Sequence, residues 1–147
     1  MTVEFTITML SDLGTGGADY IIPLFIRNKL GNTEVYFATR ENIALMYGDG
    51  NNTVFYGSLR SIHISNRKTY TLTFVQENLT TRSFYLNGQL VHRREGLTLT
   101  NIILGQIMLQ SHKNGSYIVH SLRVYDKALS ANEILQNYNV DVLRFGN

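Results

Sequence analysis

Short runs in which polar and apolar residues alternate constrain the fold of this chain more than any other feature. In Val3–Leu10, for example, Val3, Phe5 and Ile7 alternate with Glu4 and Thr6. Because successive side chains of a β-strand point to opposite faces, each such run predicts a strand with one buried and one exposed face. About a dozen short strands without alternating helices predict an all-β, antiparallel sandwich or barrel.

Two residue types refine the strand prediction. Asn87-Gly88 separates the runs Arg82–Leu86 and Gln89–Arg93. A type I′ hairpin turn needs positive φ at both central residues, and Asn-Gly provides it, so this pair predicts a hairpin. Pro23 lies in the predicted strand Tyr20–Ile26 and has no backbone N–H, which predicts a sheet edge or a bulge there.

One short helix is predicted near the C-terminus. Ser130 and Glu133 have the spacing of a capping box, in which each side chain bonds to the backbone N–H of the other residue. Ile134, Leu135 and Tyr138 then form an apolar stripe. Val140–Phe145 is assigned to a final strand. We expect residues 1–147 to form a single domain, since that length suits one.

Composition excludes several classes of function. The net charge is only +2, which does not favour nucleic-acid binding. Cysteine is absent, so disulfides and cysteine-based chemistry are excluded. No apolar run approaches the roughly 20 residues that span a membrane, and Met1–Leu10 lacks the basic start of a signal peptide. We therefore expect no membrane insertion and no signal peptide.

The stretch Tyr70–Tyr138 resembles the laminin G-like, concanavalin A-like lectin and glucanase superfamily. The resemblance lies in Tyr85-Leu86-Asn87-Gly88, in Ile103-Leu104-Gly105, and in the segment Leu122–Ala128 that precedes Leu129-Ser130 and Glu133-Ile134. It implies a two-sheet, antiparallel jelly-roll sandwich. It also implies a role in glycan binding, adhesion or a virion or phage-tail appendage, with calcium in several members. The sequence departs from the family at Tyr70, where tryptophan is usual, and at His120-Ser121, where acidic residues are common.

The acidic residues do not predict catalysis. Sugar-cleaving relatives need two carboxylates on either side of the scissile bond. Here the closest acidic pairs, such as Asp126 and Glu133, lie seven residues apart, and no paired-carboxylate motif occurs. No Gly-x-Ser-x-Gly elbow or paired-histidine zinc motif occurs either. We therefore expect a protein that is not an enzyme.

Two polar segments are the candidate ligand sites. The first consists of Tyr47, Asp49, Asn51, Asn52 and Tyr56. Its aromatic rings can stack on sugars, and its carboxylate and amide groups can bind sugar hydroxyls. The second is Ser111–Asn114, with His112 and Asn114 as the candidates. Both segments have the composition of ordinary turns, which is the alternative interpretation. No metal site is assigned and no cofactor is expected, although the first segment has oxygens that suit calcium.

These observations predict a non-catalytic binding module for glycans on a virion or at an extracellular surface. The alternative is a structural or assembly domain whose partner is a virion or surface protein, and a glycan-cleaving domain is a third hypothesis. We further expect a homo-oligomer or a component of a larger assembly.

Overall fold

The structure is a computed structural model, and it describes residues 1–10, 20–28, 33–40, 44–49, 67–96, 104–108 and 117–146. These ranges are mostly β, with one C-terminal helix. The elements are β1 Thr2–Met9, β2 Tyr20–Asn28, β3 Thr33–Arg40, β4 Ala44–Asp49, β5 Thr69–Gln76, β6 Arg82–Leu86, β7 Gln89–Arg94, β8 Leu104–Met108, β9 Tyr117–Tyr125 and α1 Ala131–Phe145. The sequence also predicts strands at Thr53–Tyr56 and Ser61–Ile64, and both ranges lie outside the described residues.

The chain divides into two compact units, each with its own sheet. The first unit comprises Met1–Met9, Arg67–Thr100 and Ile118–Asn147, and the second comprises Leu10–Asn66 and Asn101–Tyr117. A five-stranded sheet has the order β7-β6-β5-β1-β9, and a four-stranded sheet has the order β4-β3-β2-β8. The pairs β1–β5, β5–β6 and β6–β7 in the first sheet, and β2–β3, β3–β4 and β2–β8 in the second, are antiparallel.

The predicted Asn87-Gly88 hairpin is confirmed. Leu86 pairs with Gln89, and the backbone φ is 51° at Asn87 and 75° at Gly88. The Asn87 side chain also fixes the turn to the neighbouring strand, because its Oδ1 accepts from the backbone N–H of Thr71 at 3.0 Å. The local turn chemistry therefore sets the register of β6 and β7.

Two backbone irregularities of the second unit can be compared with the prediction. The register between β2 and β3 shifts between Ile21 and Leu24, so Pro23 lies at a bulge. The pairing of β2 with β8 covers Phe25–Asn28 and does not reach Pro23, so the alternative that Pro23 marks a sheet edge stays a prediction. The sequence predicts two short strands, Ile102–Leu104 and Ile107–Leu109, separated by Gly105, but Gly105 lies inside the single strand β8.

β1 is buried on both faces, which differs from the predicted half-exposed strand. Val3, Phe5 and Ile7 are 0% exposed, and so are Glu4 and Thr6 on the opposite face. The alternation predicted correctly which residues share a face. It could not show that a helix covers the polar face.

Helix α1 begins at the predicted capping box. The Ser130 hydroxyl accepts from the Glu133 backbone N–H at 3.4 Å, and the Glu133 carboxylate accepts from the Ser130 N–H at 2.7 Å. The predicted final strand Val140–Phe145 is wrong, because these residues form the last turns of α1. A short apolar run fits both the two-residue period of a strand and the 3.6-residue period of a helix. The contacts of Asp141 described below favour the helix. None of the helices among the described residues has the length and apolar character needed to cross a membrane.

The first half of α1 packs on the sheet of the first unit through apolar side chains. Ile134 is 1% exposed and belongs to a cluster with Val75, Tyr85 and Leu129. The helix also approaches the hairpin so closely that a Cβ on Gly88 would lie 3.0 Å from Leu135 Cδ1. Gly88 therefore meets two demands, a positive φ and a close helix contact.

Candidate functional site

Two members of the predicted ligand site lie on strand β4. Tyr47 pairs with Phe37, and Asp49 pairs with Val35. The composition of Gly48–Asn52 predicts a tight polar turn, and this prediction begins the turn too early, since β4 continues through Asp49. The remaining candidates lie outside the described residues, namely Asn51, Asn52, Tyr56, His112 and Asn114.

β4 forms one edge of the four-stranded sheet among the strands that the structure describes. Positions 47 and 49 are two residues apart, so both belong to the same face of this strand. Positions 51 and 52 follow this strand in the sequence and lie outside the described residues. An aromatic and an acidic position thus share one face of β4.

A second polar group, which sequence reasoning missed, lies between α1 and the sheet of the first unit. Its centre is Asp141, which is 1% exposed. Arg123 of β9 binds both carboxylate oxygens of Asp141, with Nη1 3.1 Å from Oδ2 and Nη2 in contact with Oδ1. The Thr6 hydroxyl donates to Oδ2 at 2.6 Å. Asp141 therefore connects α1 to both β1 and β9.

Glu4 is the second buried carboxylate of this group, at 0% exposed. Its Oε2 accepts from the Asn137 amide at 2.7 Å and lies 3.7 Å from Nη1 of Arg123. Its Oε1 has no hydrogen-bond partner among the described residues. Burial raises the pKa of Glu4 above its ordinary value, because removal from water disfavours the charged form.

The pair of Glu4 and Asp141 does not have the geometry of a glycan-cleaving site. Such a site needs two carboxylates on either side of a bound sugar, with room for the sugar between them. Both carboxylates are at most 1% exposed, and Arg123 lies against both. Asp141 is further held by Thr6. We conclude that this group attaches α1 to the sheet.

One signal in the sequence indicates the position of Asp141. It lies seven residues after Ile134, so two helical turns place both residues on the same face. The assignment of Val140–Phe145 to a strand hid this relationship. No comparable signal exists for Glu4. The alternation of β1 shows on which face of the strand Glu4 lies, but it does not show which element packs on that face.

His120 is involved in structural contacts. Its Nε2 lies 2.7 Å from the Thr8 hydroxyl, and its ring stacks on Phe145 with centroids 4.9 Å apart. In the described part of the chain, no group of three or more His, Cys, Asp or Glu is placed to hold a metal ion. The sequence would allow His112 and His120 to meet across a hairpin, and this is not tested, since His112 lies outside the described residues.

No family model matches the chain, and no curated protein matches it. Solved structures do match. The binding domain of botulinum neurotoxin serotype D has a TM-score of 0.70 and 19% identity, over 97% of this chain and 37% of that chain. The serotype D ligand-binding domain in complex with N-acetylneuraminic acid has a TM-score of 0.71 and 18% identity, over the same shares. The serotype G binding domain has a TM-score of 0.62 and 13% identity, over 95% and 36%.

The chain thus spans a little over one third of the solved chains that it matches. At these identities the likeness concerns the fold. It shows that the arrangement of strands and helix occurs within solved structures such as the receptor-binding domain of botulinum neurotoxin D.

Proposed function

We propose that this chain is a non-catalytic module that binds glycans at a virion or an extracellular surface. The observation that carries the proposal is the likeness of 97% of the chain to part of the receptor-binding domain of botulinum neurotoxin D. A structure of the same serotype holds N-acetylneuraminic acid. The sugar belongs to that larger domain, so the proposal for this chain specifies glycans as a class and leaves the sugar open.

The fold that we propose for this function is the two-sheet jelly-roll sandwich, with residues 1–147 as one domain. A five-stranded and a four-stranded sheet support it, with six antiparallel strand pairs among the described residues. So does the complete burial of Val3, Phe5 and Ile7, which form an apolar face on β1. Sandwich folds bury such a face on each sheet, which leaves loops and strand edges for recognition.

The proposed ligand site begins at Tyr47 and Asp49 on β4 and continues through Asn51, Asn52 and Tyr56. A tyrosine ring can stack on the C–H face of a sugar, and carboxylate and amide oxygens accept hydrogen bonds from sugar hydroxyls. Among the described strands, β4 lies at the edge of its sheet, which supports access to this site. His112 and Asn114 form the second candidate site.

A glycan array probed with the labelled chain tests the proposal. We expect binding to a defined group of glycans, with loss of signal in Tyr47→Ala and in Asp49→Asn. Asn139→Ala, on the exposed side of α1, is the matched control and should bind as the unchanged chain does. An array without binding above background would contradict the glycan proposal and favour a protein partner, as expected of an assembly domain. Release of sugar from bound glycans would contradict the non-catalytic assignment.

A further inference from the structure

Polar side chains connect β1 and β5 on the face that α1 covers. Thr6 lies opposite Thr71, and their hydroxyl oxygens are 3.0 Å apart in a buried hydrogen bond. Thr6 also bonds to Asp141 of α1. Glu4 and Thr73 form the next pair on this face, two positions along each strand in the same register. Because side chains two positions apart share a face, Glu4 and Thr73 also lie on the α1 side of the sheet.

The pair of Glu4 and Thr73 differs from its neighbour, because its two side chains do not bond to each other. Glu4 Oε1 and Thr73 Oγ1 are both buried and have no hydrogen-bond partner among the described residues. Both side chains are 0% exposed. A carboxylate oxygen accepts hydrogen bonds and a hydroxyl donates one, so complementary groups are left unused on neighbouring side chains. Since buried polar groups without a partner destabilise a fold, a partner that bonds to both atoms would stabilise this one.

The position of the Glu4 carboxylate explains why the direct bond is not made. Its Oε2 accepts from the Asn137 amide of α1 at 2.7 Å and lies 3.7 Å from Nη1 of Arg123 on β9. β1 lies between β5 and β9, so β9 and Thr73 are on opposite sides of Glu4. The contacts with Asn137 and Arg123 thus hold the carboxylate away from the Thr73 hydroxyl.

Elements that the structure describes enclose this pair. β5 and β9 flank β1, and Thr73 lies opposite Tyr85 of β6. Tyr85 packs with Ile134 of α1 in a buried apolar cluster, and Asn137 follows Ile134 by about one helical turn. The sheet and the helix therefore separate Glu4 and Thr73 from bulk solvent, in agreement with the complete burial of both side chains.

The two unused groups select the class of ligand. Calcium and magnesium ions take at least about six oxygen ligands, and one carboxylate oxygen and one hydroxyl supply far fewer. A buried water bonds to about two to four polar groups, which fits this pair. Burial raises the pKa of Glu4, and water both donates and accepts, so it suits Glu4 with or without a proton.

The spacing of the pair also fits one water molecule. Side chains directly opposite each other in antiparallel strands have Cβ atoms about 4.5–5.5 Å apart. Two hydrogen bonds of about 2.8 Å through one water span up to about 5.6 Å. We infer that one water molecule is bound between Glu4 Oε1 and Thr73 Oγ1 and forms a fixed part of the contact between β1, β5 and α1. This inference does not depend on glycan binding.

A crystal structure of the unchanged chain, at a resolution that shows ordered water, tests the site directly. We expect one density peak about 2.5–3.0 Å from both Glu4 Oε1 and Thr73 Oγ1. In Thr73→Val the peak should be lost, because one of its two partners is gone. No peak in the unchanged chain, or a direct bond between Glu4 and Thr73, would overturn the proposal. An anomalous signal at the site after soaking in rubidium chloride would also overturn it, since that signal identifies a monovalent cation.

Urea unfolding tests the site in solution, because a bonded and an unbonded hydroxyl give shifts of opposite sign. If water bonds to the Thr73 hydroxyl, Thr73→Val removes that bond and the urea midpoint should fall. If the hydroxyl had no partner, its removal would raise the midpoint. Thr71→Val is the matched control, since the Thr71 hydroxyl bonds directly to Thr6, and it should lower the midpoint by a similar amount. An unchanged or raised midpoint for Thr73→Val would contradict the bound water.

Discussion

The Thr6 hydroxyl donates a hydrogen bond of 2.6 Å to Asp141, and so connects the first strand to a helix residue 135 positions later. Asp141 accepts from Arg123 of β9 at the same time. The three side chains join α1 to two neighbouring strands. The stability of the first unit should therefore depend on a helix that begins six residues after its last strand.

Asp141→Ala should destabilise the chain by about 3 kcal/mol, near the lower end for breaking a buried ion pair, since Arg123 keeps 24% of its side-chain exposure. The loss comes from leaving Arg123 and Thr6 without their acceptor. Urea unfolding followed by circular dichroism measures it. Asn139→Ala, on the exposed side of the same helix, should change the free energy of unfolding by less than about 0.5 kcal/mol. Equal effects of the two variants would show that the Asp141 contacts contribute little.

Glu4 should make the folded state less stable as the pH rises. Burial raises its pKa above the ordinary value of 4.5, so the folded chain binds this proton more tightly than the unfolded chain. The contribution of Glu4 is therefore favourable below pH 4.5, falls as the pH rises through the raised pKa, and is constant above it. The free-energy difference between the unchanged chain and Glu4→Gln, measured by urea unfolding across this range, should show that fall.

Glu133 provides the control for Glu4, because its shift has the opposite sign. Its bond to Lys127 and its capping bonds to Ser130 lower its pKa to about 2. Its contribution is therefore present above pH 4.5 and is lost as the pH falls through about 2. The difference between the unchanged chain and Glu133→Gln should thus grow as the pH rises from 2 to 4.5. Parallel curves for the two variants would contradict the raised pKa of Glu4.

Gly88→Ala should destabilise the hairpin more than Gly96→Ala. Both glycines have positive φ, 75° and 71°, so either substitution carries a backbone penalty of about 1–2 kcal/mol. At Gly88 the new Cβ would also lie 3.0 Å from Leu135 and 3.2 Å from Tyr138, whereas at Gly96 nothing lies within 4 Å. The excess loss at Gly88, read from urea midpoints, measures the contact between helix and hairpin. Equal losses would indicate that α1 shifts to accommodate the new Cβ without a further loss of stability.

Ser130→Ala should destabilise the chain by about 0.5–2 kcal/mol, because the helix loses its N-terminal acceptor. Ser130→Asp keeps an oxygen at this position and should retain most of the stability. Thermal unfolding of the three proteins compares them. If Ser130→Asp were as unstable as Ser130→Ala, the capping bond would not explain the loss.

The parts of the fold that could be predicted from sequence are those set by neighbouring residues. The Asn87-Gly88 turn needs positive φ and the Ser130 cap needs a glutamate three residues later, so both features are local and both are confirmed. The helical conformation of Val140–Phe145 is favoured by the contacts of Asp141 with Arg123 and Thr6, which are distant in sequence. Its short apolar pattern alone does not distinguish a strand from the end of a helix.

The candidate site was less predictable. Composition indicated Tyr47 and Asp49, and the structure places both on strand β4. The burial of Glu4 depends on which element packs on its face of β1. That element is α1, which carries Asn137 and Asp141 at the other end of the chain. The contribution of Asn51, Asn52 and Tyr56 stays a prediction.

The most direct test of glycan recognition is a titration of the ¹⁵N-labelled chain with a glycan selected on the array, followed by backbone amide shifts. We predict saturable changes at Tyr47, Asp49, Asn51, Asn52 and Tyr56, with little change at Glu4 and Asp141 below the helix. Saturable changes centred on Glu4 and Asp141 instead, or no changes at a saturating glycan concentration, would contradict the account.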